Sequence, residues 1–267
     1  MQHVAQLNPR HEQATTAVEV RGLGHVYAGR DGAVPALSNI DLTVPAGRFV
    51  VIVGPSGCGK TSLLMMLAGL RTATSGTILC EGRPIATPDP SRVGVVFQEA
   101  SLFPWLTAVE NVEFPLVLKQ APRDERRARA EAMLNLVGLA GFGGRYPHEL
   151  SGGMKQRVSI ARGLVQDPPV LLMDEPFAAL DEQTRMTMGH ELLRIWEQTS
   201  KTVVFITHSL TEAVYLADEV IVMSARPGRI LDRVPIDLPR PRTYQMMATD
   251  VFGALRERIW HQIRDVQ

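Results

Sequence analysis

Residues 54–61 read Gly-Pro-Ser-Gly-Cys-Gly-Lys-Thr and fit the pattern GxxxxGK[ST] at every fixed position. The apolar, β-branched run at 49–53 precedes this stretch and is typical of a strand buried on both faces. Residues 62–68 follow it and are rich in helix formers. Strand, glycine-rich loop and helix in this order indicate a phosphate-binding loop (P-loop) rather than the alternative, a glycine-rich turn without a ligand.

The P-loop assigns a task to each of its parts. Glycines let the backbone approach a ligand, and a helix N-terminus directs N–H groups and a positive dipole end at phosphates. In this motif Lys60 reaches the β- and γ-phosphates, and the hydroxyl of Thr61 ligates Mg²⁺. We therefore expect a nucleoside triphosphate to contact Gly54, Pro55, Ser56, Gly57, Cys58, Gly59, Lys60, Thr61 and Ser62.

The composition limits the classes of partner. The 267-residue chain has 28 Lys and Arg and 28 Asp and Glu, so its net charge of zero argues against binding nucleic acid by neutralising phosphates. Its two cysteines predict a reducing, intracellular location. No apolar run approaches the ~20 residues that cross a bilayer. Residues 1–16 are polar and predict a flexible tail rather than a secretory signal, so work at a membrane would require docking on a partner.

The order of apolar segments predicts an α/β fold. Segments at 17–27 and 36–44 predict an N-terminal antiparallel β layer beside the nucleotide. Strands that then alternate with helices predict a mainly parallel sheet, in a P-loop NTPase core, with the site at the carboxyl ends of the strands. We expect a core domain over 17–242, with a helical subdomain inserted at about 99–165, and a C-terminal helix within 243–267. Further strands are predicted at 77–80, 93–97, 170–173, 202–206, 219–223 and 229–234, and helices near 111, from 122 to 137, and at 155–165, 181–198, 210–216 and 244–263.

Polar side chains follow several of the predicted strands. Asp174 and Glu175 end an apolar strand, where an acid supports Mg²⁺ and its neighbour acts as general base on water. The alternative for this pair is a helix N-cap. Gln98 follows another strand and would orient Mg²⁺ or water, or it is a surface polar residue. His208 ends a buried strand and would sense the γ-phosphate, or it has a structural role.

A second glycine-rich stretch, Ser151-Gly152-Gly153, stands at the start of a predicted helix and indicates a second anion site. One subunit has no evident need of two phosphate cradles. A head-to-tail dimer does need them, because the second cradle of one subunit would close on the γ-phosphate held by the P-loop of the other.

Taken together, these motifs resemble those of the ATP-binding subunits of ABC transporters, over nearly the whole chain from about residue 17. The resemblance implies an ATPase that uses ATP and Mg²⁺, forms a homodimer and binds no nucleic acid. It also implies a peripheral position on the cytoplasmic face of the cell (inner) membrane, two integral-membrane permease subunits as partners and, indirectly, a solute-binding protein. The matching positions are Tyr27 (adenine-stacking A-loop), Lys60 and Thr61 (Walker A), Gln98 (Q-loop, also at Mg²⁺), Leu150 to Gly153 (signature), Asp174 and Glu175 (Walker B), Asp181 (D-loop) and His208 (H-loop).

A finer resemblance concerns the solute. Residues 102–107 and 224–230 are similar to those of importers of nitrate, taurine and aliphatic sulfonates. In such importers other subunits select the solute, so a different small solute is an alternative. A soluble ABC-type ATPase acting on nucleic acid and a non-catalytic ATP-binding module are the alternatives of other classes. The apolar loop at 102–106 predicts a dock for the membrane partner, with Phe103 and Trp105 exposed. The alternative for this loop is local packing under the helical subdomain.

Overall fold

A computed structural model describes residues 15–29 and 32–264. Most of the tail predicted at 1–16 lies outside these residues. In the described part, no helix combines the length and the hydrophobicity that crossing a membrane requires. The strands are β1 Thr16–Gly29, β2 Gly32–Pro45, β3 Phe49–Val53, β4 Ser75–Cys80, β5 Arg83–Pro84, β6 Val93–Val96, β7 Val170–Asp174, β8 Thr202–Ile206, β9 Glu219–Met223 and β10 Ile230–Pro235. The α-helices are α1 Lys60–Leu67, α2 Ala108–Leu118, α3 Arg123–Leu136, α4 Gly152–Leu164, α5 Glu182–Thr199, α6 Leu210–Leu216 and α7 Asp250–Arg264.

The central sheet confirms the predicted parallel core. Its strand order is β10-β9-β3-β8-β7-β6, and all pairs are parallel except the antiparallel edge pair of β9 and β10. The P-loop strand β3 lies inside the sheet between β8 and β9. The loops after β3, β7 and β8 therefore meet at one edge, where they bring the P-loop, the Walker B acids and His208 together.

A second, antiparallel sheet confirms the predicted N-terminal β layer. Its order is β2-β1-β4-β5, and β1 and β2 form a long hairpin that is longer than the predicted segments. The side chains of β3 alternate between two apolar cores, which explains why this whole strand is buried. Phe49, Val51 and Val53 face the helical side, while Val50 and Ile52 pack with the antiparallel sheet.

The helices α2, α3 and α4 pack on one another, as a helical subdomain requires. The capping box that Thr107 makes with Glu110 is present, but α2 begins at Ala108 rather than near Asn111. Helix α4 likewise begins earlier than predicted, at Gly152, because the side chain of Ser151 caps it.

The helix predicted at 244–263 is confirmed over most of its length by α7, but its predicted start is wrong. A short 3-10 helix at Tyr244–Ala248 comes first, and α7 begins only at Asp250. The backbone of Thr249 is extended, with φ −85° and ψ 149°. Its hydroxyl accepts a hydrogen bond from the backbone N–H of Phe252, so Thr249 caps a new helix instead of continuing the old turn.

Candidate functional site

The P-loop has the backbone that a phosphate cradle requires. Gly57 and Gly59 have φ values of +76° and +102°, which side chains with a Cβ rarely adopt. Gly59 is the N-cap of α1, so the first turn of that helix points its N–H groups at the loop. The ammonium of Lys60, a buried residue, donates to the carbonyl oxygens of Gly54 and Pro55, each at 2.9 Å. A cation at the helix N-terminus completes an anion-binding cradle.

The Walker B acid Asp174 lies against the P-loop. Thr61 Oγ1 donates to Asp174 Oδ1 at 3.2 Å, although 112 residues separate them in the chain. Asp174 is 7% exposed, and burial raises the pKa of its carboxyl, with the neighbouring Glu175 acting in the same direction. The hydroxyl and the carboxylate are the hard oxygen ligands that Mg²⁺ prefers, so these residues fit that ion.

Glu175 and His208 form the second pair of the site. The ring Nδ1 of His208 lies 3.1 Å from Glu175 Oε2, and because an ionised carboxylate only accepts, Nδ1 is the donor. Glu175 has a φ of +44°, and its backbone N–H donates to the carbonyl of Ile206 at 2.9 Å. The strand β7 therefore ends in a strained turn, of the kind that functional sites retain.

Tyr27 lies beside the first turn of the P-loop helix α1. Its hydroxyl shares a hydrogen bond of 2.7 Å with the hydroxyl of Ser62, which ties the predicted A-loop to α1. The guanidinium of Arg71 lies over the Tyr27 ring at 4.8 Å, and His25 meets the ring edge-on at 4.6 Å. Stacking of a base on Tyr27 would therefore use the ring face that Arg71 leaves open.

The signature residues form a separate group with the D-loop. Ser151 accepts from the N–H of Met154 at 3.3 Å and caps α4, and a Cβ on Gly153 would lie 3.1 Å from Thr184 Cγ2. Asp181 caps α5, and its hydrogen bonds from Thr184 lower the pKa of its carboxyl. Within the described residues, no hydrogen bond directly joins the signature to the P-loop.

Gln98 is exposed and lies two residues beyond the end of β6. Sequence reasoning missed another contact of the P-loop, in which the Arg226 guanidinium donates to the carbonyl of Gly57 at 3.3 Å. It also missed Arg185 and Glu212, which contact the D-loop and the H-loop. Arg185 bonds to the carbonyl of Leu180 and Glu212 to the hydroxyl of Thr207, and the two residues of each pair are five positions apart in the chain.

The amino-acid sequence also matches known proteins, and these matches identify its family. A family model described as ABC transporter matches residues 37–178. The chain belongs to the ABC transporter family. It is accordingly an ATP-binding protein and an ATPase.

Relatives of this ABC ATPase match along most of their length. The ABC transporter ATP-binding protein MJ0412 of Methanocaldococcus jannaschii is 49% identical over 87% of each chain. The nitrate import ATP-binding protein NrtD of Synechocystis is 46% identical, over 92% of this chain and 95% of the relative. The taurine import ATP-binding protein TauB of Burkholderia pseudomallei is 51% identical, over 80% and 82%.

A solved structure confirms the fold. The ATP-binding cassette MJ0796, in a dimeric post-hydrolysis state bound to ADP and Pi, is 33% identical with a TM-score of 0.73. The match covers 83% of this ABC ATPase and all of the solved chain. The α/β architecture is thus that of an ABC cassette.

Proposed function

We propose that this ABC ATPase is the energy-coupling subunit of an importer for nitrate, taurine, a sulfonate or a similar small solute. It works as a head-to-tail homodimer on the cytoplasmic face of the membrane, bound to two integral-membrane permease subunits. A solute-binding protein delivers the solute to those permease subunits. The nitrate and taurine import relatives support the solute class. The dimeric MJ0796 cassette supports the assembly.

One observation carries the proposal: the site is divided into two groups within one chain. Lys60, Thr61 and Asp174 gather at one edge of the sheet, whereas Ser151 and Gly153 lie beside the D-loop. Both groups contain a helix N-terminus suited to phosphate. A second subunit placed head to tail joins the two groups and uses both cradles on one nucleotide.

The residues of this composite site divide the work of hydrolysis. Lys60 and the P-loop N–H groups bind the phosphates, while Thr61, Asp174 and Gln98 would hold Mg²⁺, which neutralises phosphate charge when bound. Glu175 accepts the proton of the attacking water. His208 donates to Glu175 Oε2, which orients that carboxylate.

The membrane partner docks on an apolar groove of about 470 Å³ between the P-loop helix region and the helical subdomain. Phe114 and Leu118 line it, and Leu118 is 70% exposed. Arg162, also in its lining, donates to the carbonyls of Ala100 and Ser101 at 2.7 and 2.8 Å. Arg162 therefore links the groove to the segment that follows Gln98. A partner that docks in the groove would contact a residue bonded to the Gln98 segment of the ATPase site.

The substitution Glu175→Gln tests the proposal. Glutamine keeps the shape of glutamate but cannot accept a proton, and loss of a general base costs about 10²–10⁴ in rate. The phosphate and Mg²⁺ ligands are unchanged, so we expect the variant to bind ATP and to accumulate as a dimer. Size-exclusion chromatography with and without MgATP, together with phosphate release, measures both effects.

Two results would contradict the proposal. A wild-type rate of hydrolysis in the variant would show that Glu175 is not the base. The composite site would be ruled out by an inactive variant whose two ATPase subunits do not associate with each other in MgATP, either when purified alone or when bound to the permease subunits.

A further inference from the structure

A chain of polar contacts joins α6 to the loop that carries His208. The buried Thr207 hydroxyl donates to Glu212 Oε2 at 2.6 Å and accepts from the N–H of Ser209 at 2.9 Å. The hydroxyl of Ser209 in turn accepts from the N–H of Glu212 at 3.3 Å. Glu212 thereby fixes the residues on both sides of His208.

Arg185 extends this chain to the D-loop. Its Nε lies 3.5 Å from Glu212 Oε1, and its Nη2 donates to the carbonyl of Leu180 at 3.0 Å. Leu180 directly precedes Asp181. The Arg185 guanidinium on α5 thus contacts both the Glu212 carboxylate, which bonds to the H-loop, and the backbone of the D-loop.

The pair of charges is largely removed from water. The side chains of Arg185 and Glu212 are 22% and 12% exposed. Burial raises the pKa of Glu212, while the Thr207 hydrogen bond and the Arg185 charge oppose that rise. Arg185 also pairs with Glu182 at 3.4 Å, but the Glu182 side chain is 73% exposed, so water weakens that pair. The more buried pair with Glu212, held between three segments, therefore favours a single arrangement of those segments.

We propose that Arg185 and Glu212 are positioning residues for ATP hydrolysis, which set the H-loop and the D-loop at a fixed spacing. His208 reaches Glu175 through one contact of 3.1 Å, so a small displacement of residues 207–209 breaks that contact. The same guanidinium holds Leu180, so the position of His208 depends on the position of Asp181. This inference rests on the proposed function, in which Glu175 is the general base and His208 orients its carboxylate.

Steady-state kinetics of Arg185→Met, Glu212→Gln and the double variant test the inference. Glutamine still accepts from the Thr207 hydroxyl but no longer carries the charge that faces Arg185. A misplacement of about 1 Å costs roughly 10²-fold in rate, so we expect kcat to fall by about 10- to 100-fold. KM for ATP should change less than about twofold, because the contacts of Lys60 and Thr61 remain. The double variant should lose no more than the worse single variant, since the two residues act as a unit.

Arg194→Met is the matched control. Arg194 lies on the same helix, donates to the backbone carbonyl of Leu136 at 2.7 Å and pairs with Glu191 at 3.1 Å. It therefore makes the same two kinds of contact away from the H-loop, and we expect a lower Tm with unchanged kcat. Arg185→Lys, which keeps the cation but reaches fewer acceptors, supplies the measurement if Arg185→Met does not fold.

The inference is overturned if the Arg185 variants match Arg194→Met, with a lower Tm but a wild-type kcat per folded molecule. Losses that multiply in the double variant would also overturn it, since the residues would then act independently. Wild-type protein and Glu175→Gln in the same assay separate this failure from failure of the proposed function. If Glu175→Gln keeps the wild-type rate, the function itself is wrong, whatever the Arg185 variants do.

Discussion

Two adjacent acids show how residue environment assigns chemical roles. Asp174 is the last residue of a buried strand and bonds to Thr61, whereas Glu175 turns into the left-handed region and bonds to His208. A left-handed, non-glycine residue costs of order 1–3 kcal/mol. Retaining this strain between two acids is consistent with separate tasks, one at the metal and one at the water.

Replacing Asp174 by asparagine should stabilise the nucleotide-free protein. Burial raises the pKa of Asp174, and a carboxyl with a folded pKa above its unfolded pKa destabilises the fold as pH rises through that interval. Asn keeps an oxygen for the Thr61 hydroxyl but removes the charge. We expect a higher Tm at pH 7, a gain that shrinks as pH falls to about 4, and loss of Mg²⁺-dependent turnover.

Differential scanning calorimetry in a chelator at both pH values measures this gain. Asp237→Asn, at an exposed position, is the control and should leave Tm and turnover unchanged. A lower Tm for Asp174→Asn at pH 7 would contradict the interpretation.

Replacing Lys60 by alanine should abolish ATP binding or hydrolysis. The ammonium that bridges Gly54 and Pro55 is lost, and with it the charge aimed at the phosphates. Nucleotide-binding and phosphate-release assays measure the effect. Lys201→Ala removes a lysine paired with Asp167 at 2.6 Å, remote from the P-loop, and should leave turnover intact. Unchanged turnover in the Lys60 variant would show that Lys60 does not bind the phosphates of ATP.

At the scale of elements, the irregular segment between β10 and the 3-10 helix holds α6 in place. Arg242, 2% exposed, donates to the carbonyls of Val214, Tyr215 and Ala217 at the C-terminal end of that helix. Burial lowers the pKa of Arg242 to about 10, so it stays charged at neutral pH. Because α6 begins two residues after His208, this segment fixes the far end of the H-loop helix.

Arg242→Met should destabilise the protein by about 3–5 kcal/mol, because it leaves buried carbonyls without donors. Urea denaturation measures the loss. Arg233→Met is the control, since Arg233 donates to the carbonyl of Thr43 at an exposed position and should cost less than about 1 kcal/mol. Equal losses of unfolding free energy in the two variants would show that the Arg242 hydrogen bonds to the α6 carbonyls stabilise the fold no more than an exposed hydrogen bond does.

At the scale of the whole molecule, the predicted docking loop is only partly exposed. Trp105 is 70% exposed as expected, but the expectation for Phe103 is wrong, because its half-buried ring packs on Phe114 at 4.6 Å. Both carbonyl and N–H of Phe103 also bond to the buried Asn111. Trp105 is therefore the clean probe of docking, and Phe103 holds the loop.

Trp105→Ala should weaken assembly with the permease subunits by roughly tenfold or more, as expected for an aromatic anchor, without changing basal ATPase activity. Binding to permease subunits in proteoliposomes measures assembly. Trp260→Ala is the control, because this tryptophan is 53% exposed on α7 and lies neither in the loop at 102–106 nor in the lining of the groove. Equal binding by Trp105→Ala and wild-type protein would place the dock elsewhere.

The sequence by itself determined the family, the alternation of strands and helices, and which side chains follow which strands. These features are local, because a P-loop, a buried apolar strand and a capping residue are each written in fewer than about ten neighbouring residues. The predicted bounds of β3, β8, β9 and α6 match the structure for the same reason.

Only the tertiary structure decided how distant residues meet. The contacts of Arg185 with Glu212 and of Arg242 with α6 join residues 27 and 28 positions apart, and no periodicity in the sequence encodes such pairs. The partial burial of Phe103 and the start of α7 at the Thr249 cap likewise depend on packing and hydrogen bonding in the folded chain. Local propensity selects the elements, but the burial of charges and rings between them is a property of their assembly.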